Sequence, residues 1–358
     1  VETIRKPIFR VEYNGKNITA DITRYLISVT YSDKVEGESD EIEIRLEDTD
    51  ALWRGAWYPT KGDKMSLWIG YVEAQVFCGV FEIDEIELSG PPDTVSIRAL
   101  ATSIKSPLRT KNSTAFENLS LRQVAERVAS KHGYSILGTI APVRLLRVTQ
   151  NRETDLGFLK RVAQEYGHVF SVRDKSLIFS SIFDLEKSNA VLEIDRTDLT
   201  RYRLLDKTSQ TFDSAKVEYH NPANKQVTNY TTTDKVNADG VHYTEVTKGD
   251  MLNIKTKTET TQQAEVKAKS ALWSANSKQQ SVSLSLPGTA YLVSGNNFNL
   301  TGIGVVSGKY HITESSKRID RGGGYVTELE AKRVGFIDRV KQKPKTPKKK
   351  NIEYRVVQ

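Results

Sequence analysis

Period-two alternation of apolar and polar residues dominates both ends of the chain. Ile8-Phe-Arg-Val-Glu-Tyr13 alternates and runs into Asn14-Gly15, the dipeptide of a two-residue hairpin turn. Asp40-Glu-Ile-Glu-Ile-Arg-Leu46 puts Ile42, Ile44 and Leu46 on one face. Met65–Ile69 and Val80–Ile86 continue the pattern, and Gly90-Pro-Pro-Asp93 turns the chain into Thr94–Ala99. Short strands divided by turn residues predict an antiparallel barrel or sandwich over residues 1–105. Over residues 106–194 the period changes. Ser120 is an N-cap for a helix Leu121–Lys131, closed by His132-Gly133, with Leu121, Val124, Ala125 and Val128 in one stripe. Thr154 caps a second helix, Asp155–Tyr166, with Leu156, Leu159, Val162, Ala163 and Tyr166 inward and Gly167 at its end. A hairpin, Val169–Val172 to Ser176–Phe179, completes a small α+β insertion. Residues 195–335 return to strands, among them Ala215–Tyr219, Val227–Tyr230 and Ser281–Leu286, with one helix, Thr261–Trp273, carrying Ala264, Ala268, Ala271 and Leu272 on one side.

The two β regions match each other in order. Gly62-Asp-Lys-Met-Ser-Leu67 corresponds to Gly295-Asn-Asn-Phe-Asn-Leu300, and Gly79-Val-Phe-Glu-Ile-Asp-Glu85 to Gly308-Lys-Tyr-His-Ile-Thr-Glu314. The glycines lie 17 residues apart in the first copy and 13 in the second. A turn and an alternating strand ending in Ala99 or Ala331 close each copy. Four matches in order predict a duplicated sheet unit. A chain with two equivalent units presents six when three copies close into a ring, which is what an adaptor between six-fold and three-fold objects requires.

Three stretches resemble the late control protein D family, the central baseplate hub of contractile phage tails and related tailocins. They are Gly79–Ala99, Leu119–Gly133 and Glu153–Gly167, and the resemblance spans roughly residues 1–335. It implies a β-rich α+β fold in which two tail-tube-like antiparallel β-barrels flank a small α+β insertion. It further implies a non-enzymatic homotrimer in the virion baseplate, assembled in the bacterial host cytoplasm. That trimer would join the hexameric tail tube to the trimeric spike protein, near the tape measure protein and baseplate wedge proteins, with nucleic acid only in transit through its lumen.

Composition changes this picture at one place. The net charge of +7 suggests a nucleic-acid partner until it is located. Residues 341–350 hold six lysines (Lys341, Lys343, Lys345, Lys348, Lys349 and Lys350) and no acid. With those removed, and Glu353 and Arg355 cancelling, +1 remains on residues 1–340. The Pro/Lys segment 336–358 reads as an extended linker, or as a tail docking its short apolar element Ile352–Val357 on a partner. A nucleic-acid-binding protein acting through this tail is the first alternative reading. A cell-wall glycan binder or hydrolase is the second.

Residues for other chemistry are sparse. One cysteine, Cys78, excludes an intramolecular disulfide framework, and its strand setting predicts an inert thiol. His132, His168, His220, His242 and His311 show no ligand spacing, so neither a metal nor a cofactor is expected. His132 and His168, each beside a glycine at a helix end, read as caps. Gly322-Gly-Gly324 reads as a hairpin turn, and the strand carboxylates Glu82, Asp84, Glu85 and Glu87 as a solvent or lumen face. Trp53, Trp57, Tyr58 and Trp68 form a candidate partner interface, with rim packing of the first sheet as the alternative. No run approaches 18 apolar residues, so no membrane-spanning segment is expected, and the polar start Val1–Pro7 predicts no signal peptide.

Overall fold

A computed structural model describes residues 6–35, 39–101, 110–173, 176–207, 212–221, 226–233, 250–256, 258, 260–277, 279–322 and 324–336. The N-terminal part opens with β1 (Pro7–Tyr13). Asn14 and Gly15, at φ 47° and 82°, turn it into the two-residue β2 (Lys16–Asn17). A short helix, α1 (Thr19–Thr23), precedes β3 (Leu26–Lys34), β4 (Glu41–Glu47), β5 (Lys64–Tyr71), β6 (Ala74–Ser89) and β7 (Thr94–Leu100). These pair in the order β3-β4-β7-β6-β5-β1. Alternate residues, including Val29, Ile42, Ile44, Leu67, Phe81 and Ile97, close one core.

The middle part holds β8 (Lys111–Ser120), α2 (Leu121–Lys131), β9 (Ser135–Leu137), β10 (Arg144–Thr154), α3 (Asp155–Glu165), β11 (His168–Arg173), β12 (Ser176–Ser181) and α4 (Ile182–Lys187). The Ser120 hydroxyl accepts the Gln123 N–H, and the Gln123 side chain accepts the Ser120 N–H, a complete capping box. The predicted stripe of α2 is buried. On α3 the inward set differs: Phe158 is fully buried and Leu156 only half-buried. Phe158 stacks on Phe116 of β8 at 5.2 Å, so the neighbouring strand fixes which side of the helix faces in.

Next come β13 (Ala190–Asp195), β14 (Arg201–Asp206), β15 (Phe212–Asn221), β16 (Gln226–Thr233), β17 (Asp250–Lys255), α5 (Thr261–Asn276), β18 (Gln280–Pro287), β19 (Asn297–Thr301), β20 (Gly308–Asp320) and β21 (Gly324–Phe336). β15, β16 and β17 form their own sheet, packed on Ala264, Ala268 and Leu272 of α5. The other strands pair in the order β14-β18-β21-β20-β19-β13.

The two orders are the same topology. β3, β4, β7, β6, β5 and β1 correspond in turn to β14, β18, β21, β20, β19 and β13. The registers correspond as well. Leu67 faces Gly79 as Leu300 faces Gly308, and Met65 faces Phe81 as Phe298 faces Tyr310. A bulge follows Ile83 on β6 and Ile312 on β20. Gly62 N–H donates to the Ile83 carbonyl and Ile83 N–H to the Asp63 carbonyl, at 2.8 and 2.9 Å. Gly295, Ile312 and Asn296 repeat that exchange at 2.9 Å in both bonds. Gly62 and Gly295 also share a left-handed backbone, φ 89° and 84°. The correspondence stops at the last strand: β1 runs antiparallel to β5, whereas β13 runs parallel to β19.

The halves are joined edge to edge. Glu314–Asp320 of β20 pair antiparallel with Lys34–Ser28 of β3, making one continuous sheet. Among the described residues this ladder ends at β14, β13 and β2 without closing into a ring. The joint has its own polar core. Asp33, fully buried on β3, accepts the Ser294 N–H at 2.9 Å and also the Ser294 hydroxyl. The Ser315 hydroxyl and Lys317 Nζ donate to the Leu292 carbonyl at 2.8 and 3.2 Å. The helices dock on the second half through Glu186 of α4. It pairs with Lys332 at 3.2 Å and accepts the Trp273 indole N–H at 3.0 Å.

Candidate assembly surfaces

Because the halves join in register, their polar faces form one surface. One cross-strand row runs Arg203, Ser283, Glu330, Glu314, Lys34. Another runs Arg318, Thr30, Glu43, Arg98, Glu85. Both cross the joint between β20 and β3. Charges alternate along the second row, whereas in the first Glu330 and Glu314 lie side by side between Arg203 and Lys34. Ser283 donates to Glu330 at 2.6 Å, Arg98 to Glu41 at 2.6 Å, and Lys34 lies 3.9 Å from Glu314. Arg201, Arg203, Glu328 and Glu330 line a shallow groove of about 410 Å³ on this face. Glu85 and Glu87 lie exposed on the same face, while the bulge after Ile83 takes Asp84 out of the alternation.

The four aromatics singled out in the sequence divide. Trp53 and Trp57 meet edge to face at 5.5 Å, and Tyr25 meets Trp57 at 6.2 Å. With Tyr58, Met65 and Ile97, Trp53 and Trp57 line a cavity of about 490 Å³ at one end of the first core. Trp53 is buried and its indole N–H has no acceptor among the described residues, while Trp57 and Tyr58 sit exposed at the mouth. Trp68 points to the other face of β5, 4.7 Å from Phe77 and under the Arg10 guanidinium at 4.6 Å. Strand alternation separates it from the cavity: Met65, Leu67 and Ile69 take the inward positions. The six tail lysines and His242 lie outside the described residues.

Three histidines, His132, His168 and His311, act within the fold. The His132 backbone N–H caps α2, but its ring reaches across to Asp155 at the start of α3, 2.6 Å away. Lys131, Gln150 and Asn112 converge on the same buried carboxylate at 3.0, 2.7 and 3.3 Å. Burial alone would raise the Asp155 pKa; the hydrogen bonds from Gln150, His132 and Lys131 outweigh it and hold the carboxyl below the usual range. His168 Nε2 accepts the Ala141 N–H at 3.0 Å, and Nδ1 lies 2.7 Å from the Tyr166 carbonyl, so the ring is neutral with its proton on Nδ1. Burial lowers its pKa accordingly. His311 is fully buried with Nδ1 2.7 Å from Asn297 Oδ1. The Asn297 amide nitrogen is surrounded by the carbonyls of Leu185, Glu186 and Ser188, which fixes its orientation. His311 therefore carries a proton on Nδ1. Burial, then the charges of Lys332 and Lys309, push its pKa down to about 3. Burial pushes the Cys78 thiol up to about 12.

Asp33, Ser294, Ser315 and Lys317 escape a reading of local sequence. Their one signal is parity: Ser315 and Lys317 fall on the same side of β20 as Ile319, so two polar side chains occupy inward positions. Among the described residues no group of three or more His, Cys, Asp and Glu could hold a metal ion, and no helix is long and apolar enough to cross a membrane.

Comparison with known proteins agrees with this architecture. The family described as phage tail baseplate hub (GPD) matches residues 107–322. The probable baseplate hub protein of Escherichia phage 186 is 28% identical over 176 residues, 48% of this chain and 44% of that protein. The matched segment thus spans under half the length of that relative. A 43 kDa tail protein of a Shewanella oneidensis prophage, MuSo2, shares the fold at a TM-score of 0.70 with 14% identity, over 92% of this chain and 99% of its own. The E. coli c3393 protein, a type VI secretion component described as structurally similar to the phage T4 tail proteins gp27 and gp5, gives 0.55 at 11% identity, over 93% and 78%. With the family's pattern covering more than half its length, set in a fold shared with a phage tail protein, the chain belongs to the phage tail baseplate hub (GPD) family of virion structural proteins.

Proposed function

We propose that the protein is the adaptor of the baseplate: three copies form a pseudo-six-fold ring that joins the hexameric tail tube to the trimeric spike. One observation carries this reading. The chain holds the same six-strand order twice, in matching register, joined edge to edge. Three such chains present six equivalent units to one neighbour and three chains to the other. In this reading residues 1–105 and 195–335 are the two tube-like barrels, residues 106–194 the insertion between them, with β13 completing the second barrel, and 336–358 a basic tail. Each half closes as a barrel only when its free edges find partners in the ring. The continuous polar face of Glu, Ser and Arg would line the lumen. Such a wall is hydrated and of mixed sign, so it lets the tape measure protein, and nucleic acid in transit, pass without holding them. The aromatic mouth at Trp57 and Tyr58 would then meet a neighbouring baseplate protein, since exposed Trp and Tyr beside a largely apolar pocket make interface anchors.

The test is the mass of the assembled protein by light scattering, alone and with the spike protein. Three copies per particle, retaining the spike on a pull-down, are expected. A monomer at tens of micromolar that captures no spike would end this reading.

A further inference from the structure

The duplication makes the joint inside one chain a template for the joint between chains. Within the chain, β20 of the second half pairs with β3 of the first. Their counterparts in the other halves are β6 and β14. Among the described residues each of these keeps a free side: β14 is an end strand of the sheet, and β6 beyond Ile83 is paired on one side only, with β7. We propose that β6 of one copy pairs antiparallel with β14 of a second copy, in the register that β20 and β3 already use.

The register follows from the matched positions. Glu85 and Glu314 each come directly after the bulge, facing Arg98 and Glu330. On the other strand, Thr30 faces Glu43 and Arg203 faces Ser283, and those two residues occupy the same place opposite Arg98 and Glu330. Thr30 and Arg203 therefore correspond, and four residues on so do Lys34 and Lys207. Glu314 faces Lys34 inside the chain, so Glu85 faces Lys207 of the neighbouring copy. Glu87 then faces Leu205, Leu88 faces Leu204, and Ser89 faces Arg203.

Two features of these edges fit a second copy of the chain. The ion pair of the joint, Lys34 with Glu314 at 3.9 Å, is reproduced in sign by Lys207 and Glu85. Unlike most strand ends, both edges expose large apolar side chains: Leu88 at 48%, Leu205 at 44% and Tyr202 at 40%. The pairing sets Leu88 against Leu204 on the core side, which extends the apolar layer of both halves. Because β6 and β14 are different surfaces, the contact is head to tail. It closes into a ring when its rotation repeats that of the internal joint, after three copies.

This pairing rests on the ring proposed above, and the experiment separates the two. The full chain carrying Glu87→Cys and Leu205→Cys is oxidised mildly and run without reductant. Cys78, half-buried with a thiol that resists ionisation, stays out of the reaction. Covalent species of two and three copies are expected, with three the largest. The displaced pair Glu87→Cys with Arg203→Cys, about 7–8 Å apart on the diagonal, should cross-link at least about tenfold less. Glu85→Lys or Lys207→Glu should each raise the concentration for half-assembly by about fivefold per contact, and the double exchange should reverse most of that. If light scattering finds three copies while the matched cysteines cross-link no better than the displaced ones, the pairing is wrong and the ring stands. If no oligomer forms, the ring fails and the pairing with it.

Discussion

Asp33→Ala tests whether the joint between the halves is held by its buried carboxylate. Asp33 is 0% exposed and Ser294, which gives it both its N–H and its hydroxyl, is 8% exposed. Alanine leaves those two donors in a place water does not reach. Each stranded donor costs about 1–3 kcal/mol, and the loss of a buried carboxylate returns part of that. The net expectation is about 3 kcal/mol. A chain with several cores has no single unfolding free energy, so the loss is best read locally, by hydrogen exchange followed by mass spectrometry. About 3 kcal/mol speeds exchange roughly a hundredfold where opening of the joint governs it. The affected amides should be those of β3 and the facing part of β20, while α2 and α3, which lie in a different core, should be unchanged. Adding Ser294→Ala should recover about 1 kcal/mol, because one orphaned donor disappears with its side chain. Protection in β3 that changes by less than about threefold would refute the assignment of this carboxylate as the tie between the halves.

Two further outcomes follow from the buried groups. His168 and His311 are neutral in the fold, with pKa values below the ordinary 6.5. Above pH 6.5 both are neutral whether folded or unfolded, and they add no pH dependence. As pH falls below 6.5 the unfolded chain takes up protons that the folded chain refuses, so stability should drop, and for His311 the drop approaches about 1.4 kcal/mol per pH unit. For His311 the loss continues down to about pH 3. Melting curves between pH 7 and 5 should show this slope, and His311→Gln should reduce it; an unchanged slope would show that His311 titrates normally. At the aromatic cavity, Trp53→Ala should cost about 3–5 kcal/mol, as for a large core residue, whereas Trp53→Phe should cost far less because it removes an indole N–H that has no acceptor among the described residues. Equal losses for the two substitutions in thermal denaturation would mean that the N–H is satisfied in solution.

Much of the local structure was legible in the chain itself. Ser120 with Gln123, and Thr154 with Gly157, cap their helices through bonds whose partners lie three residues away. Asn14-Gly15 fixes its turn by backbone freedom alone. The repeat was legible because a glycine with a left-handed backbone, an inward aromatic and a bulged Ile recur at fixed places, and each answers a local steric demand. What escaped was β3, the strand that joins the halves. Asp33 sits on its inward side with Val29 and Tyr31, Ser28 is buried on the opposite side, and a bulge between Leu26 and Ser28 shifts its phase, so the alternation that marks a strand is broken. The same reason hid Lys317 and Ser315 on β20.

The sequence alone determined the helices α2, α3 and α5, the alternating strands around Ile44, Leu67, Phe81 and Leu284, and that one sheet unit is present twice. Only the tertiary structure decided that the two units share an edge, that Trp68 turns away from Trp53, Trp57 and Tyr58, and that Phe158 rather than Leu156 fills the core of the middle part. Local pattern reports whether a side chain will be buried through bonds and contacts a few residues away. The partner of Asp33 lies 261 residues along the chain, and polar residues can be placed inside only where such distant donors and acceptors arrive together.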